Sequence, residues 1–447
     1  MTADLDYYHD DLHCHLYGCL TVHDIWHLGR QQLAVNKDEI KARLQWYGDE
    51  FEKVFGHPPQ TKAYWDSCLG VADIAADYQA LDPISFATFQ AKFNLLIALF
   101  PLNPADPKIC HEILLQQRRS GVHYGEYRVP VPPYFTKYDA QTLWTKLSET
   151  CQLFAKGEDA FQPRLVVSLP RDPEKLVEQY GWLKEWQKGA AKLSPFLVGI
   201  DLCGYEEDHH PALYQAFTAK LHEDNSNNPA TALAFLVHGG ETFESLRLES
   251  SARRVFELAA MGVHRIGHGI ALGFDPKHVV GKAWRQTNAE RQQHLGFLLD
   301  QADALAQQGF EPDYDVAKEL TDLAKRPAEE VQSGIYTEAE ATAIASFQDA
   351  LMALWPRFSG GVIECCPTSN LVVGKVPGLE NHPIRRFLQA DLPVIVASDD
   401  PGMFDTDIIC EQTRLIDHQI ISPGQLTTIG QTAHSARAEK LVGRPHV

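Results

Sequence analysis

The stretch Asp11-Leu12-His13-Cys14-His15-Leu16-Tyr17-Gly18 decides how the fold is interpreted. Side chains alternate along an extended strand, so His13 and His15 project from the same face. Their apolar neighbours are typical of a buried strand, and the glycine at the end marks the turn out of it. Two imidazoles on one face at the end of a buried strand form half of a metal site. We therefore look for the other ligands further along the chain.

The composition limits the kinds of protein and partner to be considered. The chain has 447 residues, of which 44% are hydrophobic and 10% aromatic, enough for one large α/β barrel. Its net charge of −19 argues against nucleic-acid backbones and anionic membrane surfaces as partners. The N-terminal segment does not resemble a signal peptide, no apolar run is long enough to cross a bilayer, and the nine cysteines lack framework spacing. We expect a cytoplasmic protein with reduced thiols.

Short apolar runs alternate with longer amphipathic segments along the chain. Such alternation of strands and helices indicates a parallel sheet, and eight units indicate a closed TIM (β/α)8 barrel. The predicted strands cover residues 11–16, 124–129, 165–169, 196–202, 233–237, 264–267, 361–365 and 393–397. We treat residues 1–447 as a single barrel domain.

Two connections, after strands 1 and 6, are longer than a minimal barrel needs. The first runs from residue 18 to about residue 83, and the second covers residues 270–359. Helical periodicity over residues 290–308 and 337–355 predicts a helical hairpin in the second insertion. Loops after barrel strands lie on the catalytic face. We therefore expect each insertion to cap the site or form a subunit contact, and residues 270–359 are the candidate interface of a homo-oligomer.

Ionisable residues follow the apolar runs at the ends of several later predicted strands, where barrel enzymes place their chemistry. Polar side chains in such positions are costly unless they are paired or bind a metal. Three histidines and one carboxylate form a ligand set suited to one zinc ion with an open position, which is typical of a catalytic metal. These predicted ligands are His13, His15, His238 and Asp399.

Two further ionisable residues accompany the predicted ligands. Glu241 follows His238 by three residues and could transfer protons without binding the metal. His268, at the end of the sixth strand, could orient and stabilise an attacking hydroxide. Simpler structural roles are open to both, since Glu241 could stabilise a helix start and His268 could be a core histidine. The complete ligand set favours the catalytic roles.

Six short motifs stand in a fixed order at or near predicted strand ends. They are His13-Cys14-His15-Leu16-Tyr17-Gly18, Gly204, His238-Gly239-Gly240-Glu241, Arg265-Ile266-Gly267-His268-Gly269, Cys366-Pro367-Thr368-Ser369-Asn370 and Ser398-Asp399-Asp400-Pro401. Each alone is a weak signal, whereas six in the right order are a strong one. Together they resemble the motifs of the adenosine/adenine deaminase family of metal-dependent amidohydrolases.

The resemblance implies a hydrolase acting on C–N bonds. Its substrate would be a small molecule, a 6-aminopurine as adenosine-like nucleoside or base, deaminated to the 6-oxo product with release of ammonia. It implies that the four predicted ligands hold one zinc ion per chain, that Glu241 protonates the ring nitrogen, and that His268 stabilises the attacking hydroxide. Asp400 would hydrogen-bond the purine, and the Gly204 backbone would contact the opposite edge of the ring.

Two tyrosines depart from the pattern of that family. Adenosine deaminases usually have Asp at the position of Tyr17, adenine deaminases tend to have Glu, and relatives acting on nucleoside monophosphates tend to have Asn. Tyr205 stands where an Asp commonly follows the Gly204 position. Both changes replace a small acceptor with a large amphipathic ring. We expect intact chemistry at the metal and altered substrate recognition, with Tyr17 either contacting the substrate or packing in the core.

Two other interpretations remain open at this point. The same barrel and metal could hydrolyse a different amino-heterocycle or an amide, or the scaffold could serve a non-catalytic binding protein. The purine-facing set of Gly204, Glu241 and Asp400 favours deamination, and an intact proton shuttle disfavours a binding protein. A zinc site of the cytidine-deaminase type is excluded because the chain has no Cys-x-x-Cys pair.

Overall fold

The computed structural model describes residues 9–35, 37–59, 71–99, 107–156, 161–358 and 360–444. Within these residues, eight parallel strands form one sheet in the order β1-β2-β3-β4-β5-β6-β9-β10, and β7 pairs with β8 in a separate antiparallel ribbon. The strands are β1 Asp10–His15, β2 Tyr124–Pro130, β3 Gln162–Leu169, β4 Leu197–Leu202, β5 Ala234–Gly239, β6 Arg265–His268, β7 Ala283–Thr287, β8 Val331–Ile335, β9 Val362–Cys365 and β10 Val394–Val396. All eight predicted strands are present.

The sheet closes on itself between its last and first strands. Beyond the end of β10, the Asp399 N–H donates to the His13 carbonyl at 2.8 Å. The His15 N–H in turn donates to the Asp399 carbonyl at 2.8 Å. The predicted TIM barrel is therefore confirmed, and its closure brings residues from the two ends of the chain side by side at the carboxyl ends of the strands.

Helices follow the strands and cover the outside of the barrel, and several begin with a side-chain cap. Asp172 accepts a hydrogen bond from the Lys175 N–H, and Thr136 forms a reciprocal capping box with Asp139. The helices of six residues or more in the described part of the chain are Val22–Val35, Lys37–Phe55, Val71–Tyr78, Phe86–Leu99, Lys108–Arg119, Lys137–Ala155, Pro173–Gly189, Gln215–Asn227, Leu248–Ala260, Asn288–Asp300, Ala302–Gln307, Val316–Leu323, Glu338–Leu354, Pro367–Val372, Ile384–Gln389, Ile408–Asp417 and Pro423–Ser435. None of the described helices is long and apolar enough to cross a membrane.

The second insertion contains the predicted helices and also a two-stranded ribbon. Asn288–Asp300 and Glu338–Leu354 fall within the two segments expected to be helical, to within a few residues. The ribbon pairs β7 with β8, whose sequences are short, mixed in polarity and partly exposed. Because its two strands lie more than forty residues apart, no local pattern in the sequence identified the pairing.

The interior of the barrel beneath the carboxyl ends holds a network of buried charges. Arg128 donates to Glu364 at 2.6 Å, and Arg265 donates to Glu364 at 2.7 Å and to Glu126 at 2.6 Å. All four side chains are fully buried. A buried charge is tolerated only when it is paired and hydrogen-bonded, so these contacts tie β2 to β6 and β9 across the interior of the barrel.

Candidate active site

The four predicted metal ligands lie together at the carboxyl ends of the strands. The Asp399 Oδ1 atom is 3.4 Å from Nε2 of both His13 and His15, and Nε2 of His15 is 3.3 Å from Nε2 of His238. All four donor atoms lie within 4.8 Å of one another, and all four residues are buried. The structure therefore brings together residues separated by more than 380 positions in the sequence.

The donor atoms fit a zinc ion by both spacing and chemistry. Four ligands about 2.1 Å from zinc in a tetrahedral arrangement lie roughly 3.4 Å apart, close to the spacings found here. Among the described residues, the buried Nε2 atom of His13 has no hydrogen-bond partner, as a nitrogen reserved for a metal requires. Burial lowers the pKa of His15 to about 3, so its imidazole is neutral, the form that binds metals.

Two of the imidazoles are oriented by buried carboxylates on their other ring nitrogen. His13 Nδ1 lies 2.7 Å from Glu364 Oε2, and His238 Nδ1 lies 3.1 Å from Asp201 Oδ1. Burial alone would raise the pKa of Glu364, but Arg128 and the neighbouring arginine of β6 hold it well below its usual value. Both carboxylates are therefore anionic and direct Nε2 of each histidine toward the cluster. Neither acid was assigned a role from the sequence, although both lie at strand ends.

Glu241 is buried beside the cluster and favours its protonated form. Its Oε1 atom lies 3.6 Å from Nε2 of His268. Burial, followed by the charges of Asp399 and Glu206, raises the pKa of Glu241 well above its usual value. A buried carboxyl that holds its proton near neutral pH can act as a general acid.

The tautomer of His268 is fixed by a chain of hydrogen bonds. The Ile384 N–H donates to His382 Nδ1 at 3.2 Å, so the hydrogen of that ring is on Nε2, 3.0 Å from Asn370 Oδ1. The Asn370 amide then donates to His268 Nδ1 at 3.0 Å. His268 therefore presents an N–H from Nε2 to the site, and burial lowers its pKa well below the ordinary value, which keeps it neutral. In the sequence, Asn370 belongs to one of the six motifs but was assigned no role, and His382 was not identified as part of the site.

Asp400 lies next to the cluster with its carboxyl buried. Its Oδ1 atom has no hydrogen-bond partner within the described residues. Burial, with the charges of Asp399 and Glu241, raises the pKa of Asp400 well above its usual value. Its carboxyl packs against Gly18, where a Cβ atom would lie only 1.7 Å from Oδ1. A protonated acid without a partner can donate to a ring nitrogen of a ligand.

Two residues of the site have strained backbones. His268 has a φ of 66° and Asp399 a φ of 64°, both in the left-handed region that side chains other than glycine rarely occupy. Strain of this kind persists only where the surrounding structure enforces it, and it is concentrated at functional sites. In each case the residue lies at the end of a barrel strand, with its side chain in the cluster.

A cavity of about 210 Å³ lies over these groups. The site residues lining it are His15, Gly204, His238, Glu241, His268, Asp399 and Asp400. The opposite wall is mainly apolar and comes largely from the helix Phe86–Leu99, with Phe86, Phe89, Gln90, Phe93 and Ile97. No Lys or Arg is present among the described residues that line this cavity. Such a volume suits a small heterocyclic ligand, since sites for larger ligands usually exceed about 300 Å³.

The two unusual tyrosines lie outside the lining of this cavity. Tyr17 lies in the short helix Tyr17–Cys19, 3% exposed and within the main hydrophobic core. Tyr205 is partly exposed, and its hydroxyl is 2.9 Å from Ser245 Oγ. Of the three residues predicted to contact the substrate, Gly204 and Asp400 therefore line this cavity and Tyr17 does not.

Comparisons with known proteins agree with the motifs. The family model described as adenosine deaminase matches residues 343–437, which include Glu364, Asn370, Asp399 and Asp400. An adenosine deaminase-like protein of Drosophila melanogaster is 49% identical over 49 residues, which are 11% of this chain and 14% of the relative. The chain thus matches only about a seventh of the length of that relative.

The fold also matches solved structures over nearly its whole length. An adenine deaminase from Arthrobacter aurescens has a TM-score of 0.54 at 15% identity, covering 98% of this chain and 97% of that one. The N6-mAMP deaminase of Arabidopsis has a TM-score of 0.55 at 16% identity, covering 97% and 93%.

The closed parallel barrel with a three-histidine, one-aspartate cluster at its carboxyl ends has the fold of amidohydrolases. Residues 343–437 match the model of the adenosine deaminase family, and the resemblance inferred from the motifs is confirmed.

Proposed function

We propose that this protein is a zinc-dependent aminohydrolase that deaminates an uncharged 6-aminopurine, either a base or a nucleoside. One observation carries the proposal: Glu241, His268 and Asp400 line the same small cavity as three of the four candidate metal ligands, His15, His238 and Asp399. The residues that would bind the metal, transfer the proton and recognise the ring under this proposal therefore lie close together.

The ligands His13, His15, His238 and Asp399 would hold the zinc ion. Zinc bound there would supply an activated water near neutral pH. The His268 Nε2–H, fixed by Asn370, would hold the attacking oxygen over the carbon that bears the amino group. The Asp400 carboxyl would donate to a ring nitrogen, and the Gly204 backbone would meet the opposite edge of the ring.

Glu241 moves the proton in this scheme. Its protonated carboxyl gives a proton to the ring nitrogen next to the attacked carbon, which makes that carbon more electrophilic. The carboxylate then takes one proton from the attacking water and passes it to the leaving amine, and the second proton of that water restores the protonated carboxyl. The attacked carbon therefore exchanges its amino group for the oxygen of water, which becomes the carbonyl oxygen. Overall, the amine and water give the 6-oxo product and ammonia.

The charge of the cavity supports an uncharged substrate. Its ionisable lining residues are three acids, three histidines and one cysteine, and the described lining contributes no Lys or Arg. A phosphate placed among these groups would lose its hydration without gaining a Lys or Arg partner. The cavity therefore favours a base or nucleoside over a nucleotide.

The decisive experiment measures ammonia released by zinc-loaded protein from adenine, adenosine, 2′-deoxyadenosine, AMP, N6-substituted adenines and aminopteridines. We expect turnover of at least one neutral amine, and a fall of about 100-fold or more in kcat for Glu241→Gln. Glu244→Gln is the matched control because Glu244 lies on the same loop and is not among the residues that line this cavity. Release of ammonia by E241Q at the wild-type rate would refute the proton-transfer role, and hydrolysis of amides alone would refute deamination.

A further inference from the structure

The loop that carries Glu241 is held by a single carboxylate from the neighbouring loop. Glu206, just beyond β4, accepts hydrogen bonds from the backbone N–H of Gly240 at 2.7 Å, Glu241 at 2.7 Å and Thr242 at 3.2 Å. Three consecutive N–H groups converge on it because Gly240 adopts a φ of 67° immediately after β5. Hydrogen bonds to an ionised acceptor are about twice as strong as neutral ones, so the backbone of Glu241 is firmly anchored.

An arginine from the loop after β3 holds the loops after β4 and β5 by donating hydrogen bonds to their backbone carbonyl groups. Arg171, just beyond β3, donates to the carbonyl of His238 at 2.7 Å and to that of Gly204 at 3.1 Å. It also donates to the carbonyls of Leu202 and Cys203, at 3.1 and 3.2 Å. The loops after β3, β4 and β5 are therefore linked by two side chains, one binding carbonyl groups and the other binding N–H groups.

We infer that Glu206 is a positioning residue, which sets where the Glu241 carboxyl stands relative to His268 and the cavity. The expected effect of Glu206 on the reaction rate rests on the proposed function, whereas its contacts with the loop do not. Glu206 is not among the residues that line the cavity, so it affects the reaction through Glu241, by holding its backbone and by the charge that raises the pKa of its carboxyl. A displacement of about 1 Å in a catalytic group can reduce the rate about 100-fold, and the three N–H bonds to Glu206 prevent such a displacement.

The adjacent acid provides a matched control within the same loop. Glu207 accepts from the N–H of Glu244 at 2.7 Å and from the N–H of Ser245, and it is more deeply buried than Glu206. It therefore holds the same loop by the same chemistry, three and four residues beyond Glu241. A purely structural role for these acids predicts similar effects of Glu206→Gln and Glu207→Gln, whereas a positioning role predicts a catalytic defect for Glu206→Gln alone.

The experiment compares zinc-loaded E206Q, E206D and E207Q with the wild type in steady-state kinetics and in hydrogen exchange of the backbone amides. We expect E206Q to lower kcat about 10- to 100-fold with KM within about threefold, and E206D to restore part of the loss. Exchange at Gly240 and Glu241 should accelerate in E206Q and stay unchanged in E207Q, and Thr242 is left out of the comparison because its hydroxyl donates to Glu207 at 2.9 Å. Zinc content and melting temperature show whether each variant is folded.

The outcomes separate this inference from the proposed function. Equal losses of kcat in E206Q and E207Q, or wild-type kcat in E206Q with accelerated exchange, would overturn the positioning role. Unchanged exchange at Gly240 and Glu241 in E206Q would overturn it as well. A wild type inactive toward every amine would reject deamination, while the difference in exchange between E206Q and E207Q would still decide whether Glu206 anchors Glu241.

Discussion

The carboxyl of Asp400 occupies the space that a side chain at Gly18 would need. A Cβ atom added to Gly18 would lie 1.7 Å from Asp400 Oδ1 and 2.7 Å from its Cγ, although the backbone of Gly18 does not have a positive φ. Residue 18, at the end of the first motif, must therefore be glycine because the carboxyl of Asp400 lies where a Cβ atom would be. This contact links two segments of the cavity wall from opposite ends of the chain.

We predict that Gly18→Ala displaces the Asp400 carboxyl and lowers kcat/KM about 100-fold, while the chain still binds zinc. The measurement is steady-state ammonia release together with zinc content. Gly296→Ala is the control, since Gly296 lies in the helix Asn288–Asp300 and a Cβ there meets nothing within 4 Å. That substitution should leave activity unchanged. Full activity in G18A would show that the position of Asp400 does not matter for turnover.

The hydrogen-bond chain to His268 gives a second prediction. In Asn370→Asp a carboxylate faces Nδ1, which then carries the hydrogen, so Nε2 no longer presents an N–H to the site. We expect kcat to fall at least about 100-fold with little change in stability. Nitrogen-15 chemical shifts of the imidazole report the tautomer directly. The control Asn381→Asp lies on a nearby turn and should change neither kcat nor the His268 tautomer. An unchanged His268 tautomer in N370D would contradict the placement of the hydrogen on Nε2.

Much of this site was predictable because its residues follow apolar runs of the barrel strands. His13, His238 and Asp399 each lie at such a strand end, and parallel strands of a barrel bring their carboxyl ends together. Burial of polar groups at those positions therefore already indicated a shared site. The fold followed from the same alternation of strands and helices.

Other features depend on contacts that no local pattern contains. Three such contacts join segments whose spacing in the sequence follows no rule. They are the ion pairs of Glu364, the hydrogen bond from the Glu241 N–H to Glu206, and the hydrogen bond between His382 and Asn370. The location of Tyr17 also required the structure, because a large ring next to the histidine motif suits the core and a ligand contact equally well. Such side-chain pairings are set by tertiary packing rather than by local propensity.

Removal of the metal should weaken the folded state as well as the activity. Ligand binding to the native state alone contributes about 4 kcal/mol at a free concentration near 1,000 times Kd. We expect a chelator to lower the melting temperature of the wild type and addition of zinc to restore it. The variant His238→Ala should bind no zinc, and its melting temperature should not respond to chelator or zinc. His111→Ala, a change at an exposed histidine, serves as the control. Equal melting temperatures with and without zinc would contradict metal binding at this cluster.

Acid should destabilise the protein through His264, which lies outside the active site. Burial, followed by His222 and Arg265, lowers the pKa of His264 from 6.5 to about 4, and its Nδ1 atom accepts the Phe235 N–H at 3.0 Å. Below pH 6.5 the unfolded chain binds a proton that the folded chain does not, so stability falls from pH 6.5 down to about 4. The loss attributable to this residue is at most about 3 kcal/mol.

The measurement is urea unfolding at several pH values between 7 and 4 for the wild type and for His264→Asn, whose amide oxygen can still accept an N–H. The difference in unfolding free energy between the two proteins should shift in favour of the variant as the pH falls through this window. A difference that stays constant with pH would show that His264 protonates equally in both states.

The cavity lining gives a prediction about substrate charge. Gln90 is the polar side chain on the wall formed by the helix Phe86–Leu99, and its amide donates to Asn94 Oδ1 at 3.0 Å. We expect the wild type to prefer adenosine to AMP in kcat/KM, and Gln90→Lys to narrow that preference. A cation roughly 6 Å from a phosphate charge contributes about 3 kcal/mol at an effective dielectric constant near 20, or about 100-fold in relative kcat/KM. Gln90→Met, which removes the hydrogen bond without adding charge, should leave the preference unchanged. Equal turnover of AMP and adenosine by the wild type would mean that residues outside this lining neutralise the phosphate.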